Sequence, residues 1–597
     1  MPSPIEDYAF LSDTESAALV SRDGSIDWLT LPRFDAPACF AALLGTEENG
    51  RWRIAPTEPP RSVQRQYLPG TLVLETEYIC ETGVVVVYDF MAHRDERPNL
   101  FRIIEGRAGS VPMSVDLRIR FDYGSAVPWV RRHGDAVLAV SGPEALCLYT
   151  LAPMESRGLS HQCEITVEAG DRVPFELVWF PSHQPPEPAI DPDTALALTM
   201  SAWETWAARC TYEGEWSHDV RASLSVLKGL TYRPTGGIVA AATTSLPEEL
   251  GGERNWDYRY CWLRDTTFSL LALLAGGYTE EAAAWRDWLL RAVAGDPSQL
   301  QIMYGPAGER RLTELELDWL PGYEGSTPVR IGNAASEQFQ LDVYGEVLDA
   351  LYQSRRAGLP PDEHVWRLER LLVEFVADAW KQPDEGIWEI RGPRRHFTHS
   401  KIMAWVAVDR AIRSVEEFDQ QGPVERWRPL RDEIRADVLA RGVDQERQVL
   451  VQHYDTDELD ASLLMAPLVG FLEPSDPIVA NTVAAIEAEL MSPAGYVSRY
   501  RPQEENVDGL AGAEGAFLLC TFWLADCYAL LGRHDDARTL FERLLALRND
   551  VGLLSEQVEP ESGRLLGNMP QAFSHIALVN TAMALDRSDG AAQTRHG

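Results

Sequence analysis

Basic residues are the scarce class of charge in this 597-residue chain: 54 Lys and Arg face 91 Asp and Glu, a formal charge of −37. Such a surface repels phosphate backbones and anionic lipid, which argues against nucleic acid and membrane as partners and suits a neutral substrate. No apolar run approaches the ~20 residues needed to span a bilayer. The opening residues, MPSPIEDYAF, lack the basic stretch and apolar core of a secretory signal. The eight cysteines, at 39, 80, 147, 163, 210, 261, 520 and 527, form no CxxC pair and no metal-ligand spacing. Cys520 and Cys527 lie seven apart on one predicted helix and read as buried free thiols. No glycine-rich loop has the form that cradles a phosphate, so neither cofactor nor metal is expected. These absences describe a reduced, cytoplasmic enzyme.

What is present divides in two. The length exceeds one ordinary domain, and 45% hydrophobic content supplies a large core. Up to about residue 190 the chain reads as strands. TLVLETEYIC (71–80), GVVVVYDFMA (83–92), SVDLRIRFDY (114–123) and VPFELVWFPS (173–182) are rich in β-branched and aromatic residues and are separated by polar turns. Strands without intervening helices predict an antiparallel β-sandwich over 1–190. QPPEPAIDPD (184–193) breaks the pattern, and a helical linker is expected over 191–214.

From Trp216 the period becomes helical. Twelve segments begin near 216, 264, 279, 337, 363, 399, 425, 459, 476, 514, 533 and 570. Every second one, such as TTFSLLALLAGG or GAFLLCTFWLADCYALLG, is apolar nearly all round; most of the others, such as DDARTLFERLLALRND, carry a charged stripe. Buried and surface helices in alternation predict a double-layered helical toroid over 215–586. The tail at 587–597 is expected to be disordered. Apolar positions on the outer helices leave a homo-oligomer open.

The loops differ by parity. Inner-to-outer connections are short, while outer-to-inner ones are mostly long and hold nearly every unusual residue, which marks one face of the toroid as the site. Two of these loops carry a glutamate beside apolar residues: DEGIWEIRG (384–392) with Glu389, and GLLSEQ (552–557) with Glu556. Inverting glycosidases need a protonated carboxyl and a water-activating carboxylate roughly 6.5–9.5 Å apart. Glu389 follows Ile387 and Trp388, an apolar wall that favours a protonated acid. Glu556 lies between Ser555 and Gln557, a polar setting for an ionised base. Asp384, Glu385, Glu559 and Glu561 remain substitutes by position, and either Glu could simply pair with an arginine such as Arg391.

Arg264 and Asp265 open an inner helix, either to meet sugar hydroxyls or to cap the helix and pair outward. Trp256, Trp262, Trp388 and Tyr304 offer flat faces for a sugar ring. Arg499 and Glu514 flank another loop and meet either substrate or each other. His396 and His575 read as satisfied histidines.

With NWDYRYCWLRD, DEGIWEIRG, VRIGNAASEQFQLDVYGEVLDAL (329–351), SDPIVANTVAAIE and LLGNMPQAFSHIALVNTAM (565–583), the chain resembles glycoside hydrolase family 15 along essentially its whole length. The resemblance implies an (α/α)6 barrel behind a β-sandwich, single-displacement inversion and release of β-D-glucose from α-glucosides. It implies Glu389 as general acid, Glu556 as general base, and Arg264, Asp265, Trp388 and Arg499 around the glucose. The expected substrate is a small isomalto- or malto-type α-glucoside cleaved from its end. α,α-Trehalose is the alternative, and disaccharide phosphorolysis a remote one.

Overall fold

The computed structural model describes residues 2–360, 363–501 and 512–586. The tail expected to be disordered lies outside the described residues.

The chain up to Pro181 is antiparallel β-structure in two layers that share one strand. Asn99–Arg118 is long enough to serve both: its first part pairs with Gly83–Met91 and Arg172–Pro181, its second with Arg51–Pro56 and Ser160–Glu168. Period-2 alternation puts the inward side chains of both layers into one core. Trp52, Ile54, Val115 and Leu117 come from one layer; Val85, Val87, Leu146 and Phe175 come from the other. Helix α1 (Pro192–Ala207) then leads out, its first turn capped by Asp191.

Twelve helices follow among the described residues: α2 (Ser217–Gly229), α3 (Thr266–Ala275), α4 (Thr279–Val293), α5 (Asp342–Arg356), α6 (Glu363–Ala379), α7 (Thr398–Phe418), α8 (Val424–Arg441), α9 (Met465–Leu468), α10 (Pro477–Glu489), α11 (Leu518–Leu530), α12 (His534–Leu545) and α13 (Ala572–Asp586). The odd-numbered ones touch in sequence, α3 to α5 and on through α13 back to α3, and so close an inner ring. α11 is buried from Leu518 to Ala529 and α13 from Ala572 to Ala584, as helices apolar on every side must be. The outer helices keep charged faces; α12 buries only Ala537, Leu540, Phe541 and Leu544. α9 is a single turn extended backwards by the 3-10 turn Ala461–Leu464. This is the (α/α)6 barrel. Among the described helices none is long and apolar enough to cross a membrane.

The barrel's outer-to-inner loops converge on one end. The β-domain is fastened to the same end: Trp28 donates to the carbonyl of Ala242 at 2.9 Å, and Arg65 meets Asp550.

Candidate active site

Five of the six converging loops line one pocket, whose walls include Glu248, Arg254, Trp256, Tyr258, Arg264, Trp388, Glu389, Arg391, Arg499 and Glu556. The sixth supplies Asp460, whose carboxylate accepts from Trp388 Nε1 at 2.9 and 3.0 Å.

The first loop delivers its residues by strand geometry. Around the short strands Asn255–Asp257 and Cys261–Trp262 the chain is largely extended, so alternate side chains point the same way. Trp256, Tyr258 and Arg264 line the pocket, and Trp262 reaches Glu389. The intervening Arg259 turns toward the β-domain, and Asp257 pairs with it.

Glu389 adopts a left-handed backbone, φ 57°, uncommon for a residue with a side chain and a mark of local strain at functional positions. Its Oε1 accepts from Trp262 Nε1 at 2.6 Å and Arg264 Nη1 at 3.2 Å. The surroundings of this carboxyl are therefore cationic and hydrogen-bonding, not the apolar wall that Ile387 and Trp388 suggested.

Glu556 is set by a three-strand sheet in which Ala516–Phe517 pairs with Gln557–Val558, which pairs with Leu565–Leu566. Tyr258 donates its hydroxyl to Oε1 at 2.8 Å, and the Asn568 backbone N–H approaches Oε2 at 3.4 Å. The polar setting expected from Ser555 and Gln557 comes instead from Tyr258 and Asn568, since Ser555 and Gln557 are buried beside it and Ser555 bonds the carbonyl of Gln557. Burial, followed by the nearby charge of Glu248, pushes the Glu556 carboxyl up to about 8. Burial also raises Glu248. Tyr258 is pushed well above its ordinary value by burial and by Glu556, so it stays a donor.

Charge in the pocket is balanced. Arg499 donates to Glu248 at 2.8 Å and to Glu514, Arg264 pairs with Glu389 and Asp265, and Arg391 meets Glu314 at 2.8 Å. Arg254 lies 3.7 Å from Glu514. Every arginine lining the pocket thus has a carboxylate partner.

Several expectations need correction. Tyr304 does not face the pocket: in the pair Cys261–Tyr304 its ring turns into the core against Trp288, fully buried, and its hydroxyl accepts from the Gln301 backbone. Trp262 offers Glu389 its N–H and meets Tyr258 edge to face, so it supports the site instead of walling it. Asp265 lies behind Arg264, does not line the pocket and makes no capping bond; burial lifts its carboxyl to about 6. Glu514 meets Arg499. Among the substitutes, Asp384 and Glu385 hold the backbone of Leu341 and Phe339, and Glu559 bonds its own turn at Glu561 and Ser562. His575 is buried and paired with Leu554 and Ser223. The free cysteines include buried Cys520 and Cys527. No cluster of His, Cys, Asp or Glu that could hold a metal occurs among the described residues.

Sequence reasoning missed Glu248, Tyr258, Arg254 and Asp460. The extended alternation of NWDYRYCWLRD contained the signal for Tyr258. Glu248 and Arg254 had none, since they matter through partners some 250 residues away.

Two glutamates share one pocket at the loop-bearing end of a six-hairpin toroid, an arrangement that suits hydrolysis of a glycosidic bond. Residues 218–583 match the glycosyl hydrolases of family 15, and residues 1–164 match the trehalase-like N-terminal domain. The chain belongs to glycoside hydrolase family 15. It is 39% identical to a trehalase of Mycobacterium tuberculosis over 98% of this chain and 90% of that protein. To a trehalase of Mycolicibacterium smegmatis it is 40% identical over 98% of this chain and 92% of that one. A bacterial glucoamylase complexed with acarbose has the same fold, with a TM-score of 0.71 at 13% identity covering 100% of this chain and 97% of that one.

Proposed function

We propose that this glycosidase is an inverting α,α-trehalase in which Glu389 is the general acid and Glu556 the general base. The observation that carries the substrate is the 39–40% identity, along 98% of the chain, to two trehalases. A hydrolase of isomalto- or malto-type oligosaccharides has less support, because those full-length relatives bear the other specificity. Phosphorolysis fits poorly: the pocket's arginines are already paired with carboxylates, and Glu556 stands where phosphate would need a cation.

In this mechanism Glu389 gives its proton to the oxygen bridging the two glucoses. Trp262 and Arg264 both hold Oε1, which leaves Oε2 for that proton. A water attacks the anomeric carbon from the other face and passes a proton to Glu556, whose two oxygens Tyr258 and Asn568 orient. One β-glucose and one α-glucose leave per bond cleaved.

Two measurements test this. Proton NMR of the first minutes with trehalose, maltose and isomaltose in turn should give equal α- and β-glucose from trehalose fastest; preference for another disaccharide moves the substrate, and two α-glucoses per trehalose bond would refute inversion. α-D-Glucosyl fluoride then separates the roles, since its leaving group needs no protonation. Glu389→Gln should keep far more activity on the fluoride than on trehalose, and Glu556→Gln should lose both. The opposite pattern would exchange acid and base.

A further inference from the structure

We infer that Trp256 and Arg391, latched by Glu314, form the wall against which the departing sugar rests and so restrict the leaving group to a single ring. This rests on Glu389 being the acid, because the departing sugar must lie on the side of the group that protonates it. Arg391 follows Glu389 by two residues on the same loop. Gln338 pins that loop by donating to the carbonyls of Glu389 at 3.1 Å and Ile390 at 3.2 Å. Arg391 is fixed in turn by a two-point bond to Glu314, 3.2 and 2.8 Å, and its guanidinium carbon lies 4.2 Å from the centre of the Trp256 ring. Arg330 approaches the same ring at 4.6 Å. Glu314 also accepts from the backbone of Ala334 at 3.1 Å, which ties its own loop into the latch.

Trp256 lines the pocket between the two glutamates' loops. Its carbonyl accepts from Asn568 at 2.9 Å, the residue whose backbone N–H approaches Glu556, while its ring reaches Arg391 beside Glu389. Backbone on the Glu556 side and ring on the Glu389 side make Trp256 a bridge between the two, with three loops holding it. The indole and the guanidinium, whose fork is taken up by Glu314, together present a rigid flat wall suited to the C–H face of a pyranose. A longer chain leaving in that direction would have to displace an ion pair whose partners are only 30% and 17% exposed.

The test compares a substrate with a departing sugar and one without. For Arg391→Ala and Trp256→Ala the ratio of kcat/KM on trehalose to that on α-D-glucosyl fluoride should fall by roughly tenfold or more, because only trehalose uses the wall. Glu314→Gln should move the ratio the same way by less. An unchanged ratio would overturn the inference, whether both activities persist or both decline together. Should Trp256→Ala fail to fold, Arg391→Ala, which lies at the exposed rim, decides the matter. Should wild-type enzyme prefer another disaccharide, the trehalase assignment fails, and the same ratio measured with that disaccharide still judges the wall.

Discussion

Glu556 sits deep enough that only 1% of the residue is exposed, and its immediate electrostatic neighbour is a second carboxyl, Glu248. On the proposed base role Glu556 works ionised, so kcat/KM should rise with pH as it loses its proton, and its position near 8 puts that acid limb far above the ordinary carboxylate range. Two substitutions should move the limb in opposite directions. Glu248→Gln removes a negative charge that disfavours ionisation, which shifts the limb to lower pH. Tyr258→Phe removes a hydrogen bond that favours the carboxylate, which shifts it higher. The pH dependence of kcat/KM in the three proteins checks this; displacement of both variants in the same direction would assign the limb to another group. Arg499 also bonds Glu248 and Glu514 at once and so places a cation between these two carboxyls.

At the scale of elements, the loop between α12 and α13 shows how closely the backbone is fitted to a carboxylate. Gly567 has φ 72°, and a Cβ placed there would stand 2.4 Å from Glu556 Oε2 and 2.6 Å from Glu556 Cβ. Gly567→Ala should therefore cost roughly 1–3 kcal/mol of stability and lower kcat by displacing Glu556. Thermal unfolding and kcat measured together check it, and wild-type kcat would mean that the Glu556 side chain moves freely. The order and kind of these elements were legible in the sequence, because apolar-all-round and charged-stripe helices differ in composition. The twelve helices fall where periodicity put them, α9 apart, where a Pro at 467 and Gly470 confine a long apolar run to one turn plus a 3-10 turn. The two glutamates were legible as loaded loops of one parity. Side-chain direction was not. Tyr304 lies on a loop of that parity, yet its ring turns inward, a choice made by pairing with Cys261 that composition does not encode. The environment of each glutamate was also misjudged from its neighbours in sequence, since Glu389 is surrounded by residues about 125 positions away and Glu556 by one about 300 away.

For the whole molecule, the question is why a β-domain accompanies the barrel at all, and Arg259 gives a physical answer. Fully surrounded, it donates to both oxygens of Asp257 at 2.8 and 2.7 Å, to the carbonyl of Ala36 at 2.9 Å and to the Tyr123 hydroxyl at 2.8 Å. Its guanidinium also lies over the rings of Trp28 and Tyr123. Ala36, Trp28 and Tyr123 belong to the β-domain; Asp257 belongs to the barrel and accepts from the Gly332 backbone at 3.1 Å, in the loop that carries Asn333 to the pocket. Tyr258, which holds Glu556, stands between Asp257 and Arg259 in the chain. The β-domain thus fixes the catalytic face from behind. Arg259→Met leaves Asp257 charged and buried, and should cost roughly 3–5 kcal/mol. Adding Asp257→Leu removes that uncompensated charge and should recover much of the stability, while kcat/KM stays depressed because Gly332 and Tyr258 have lost their anchor. Denaturant unfolding and steady-state kinetics on the single and double variants separate the two effects. If the double variant regains both stability and kcat/KM, the pair serves folding alone and the β-domain acts on the site through other contacts, with Trp28 to Ala242 and Arg65 to Asp550 the next to examine.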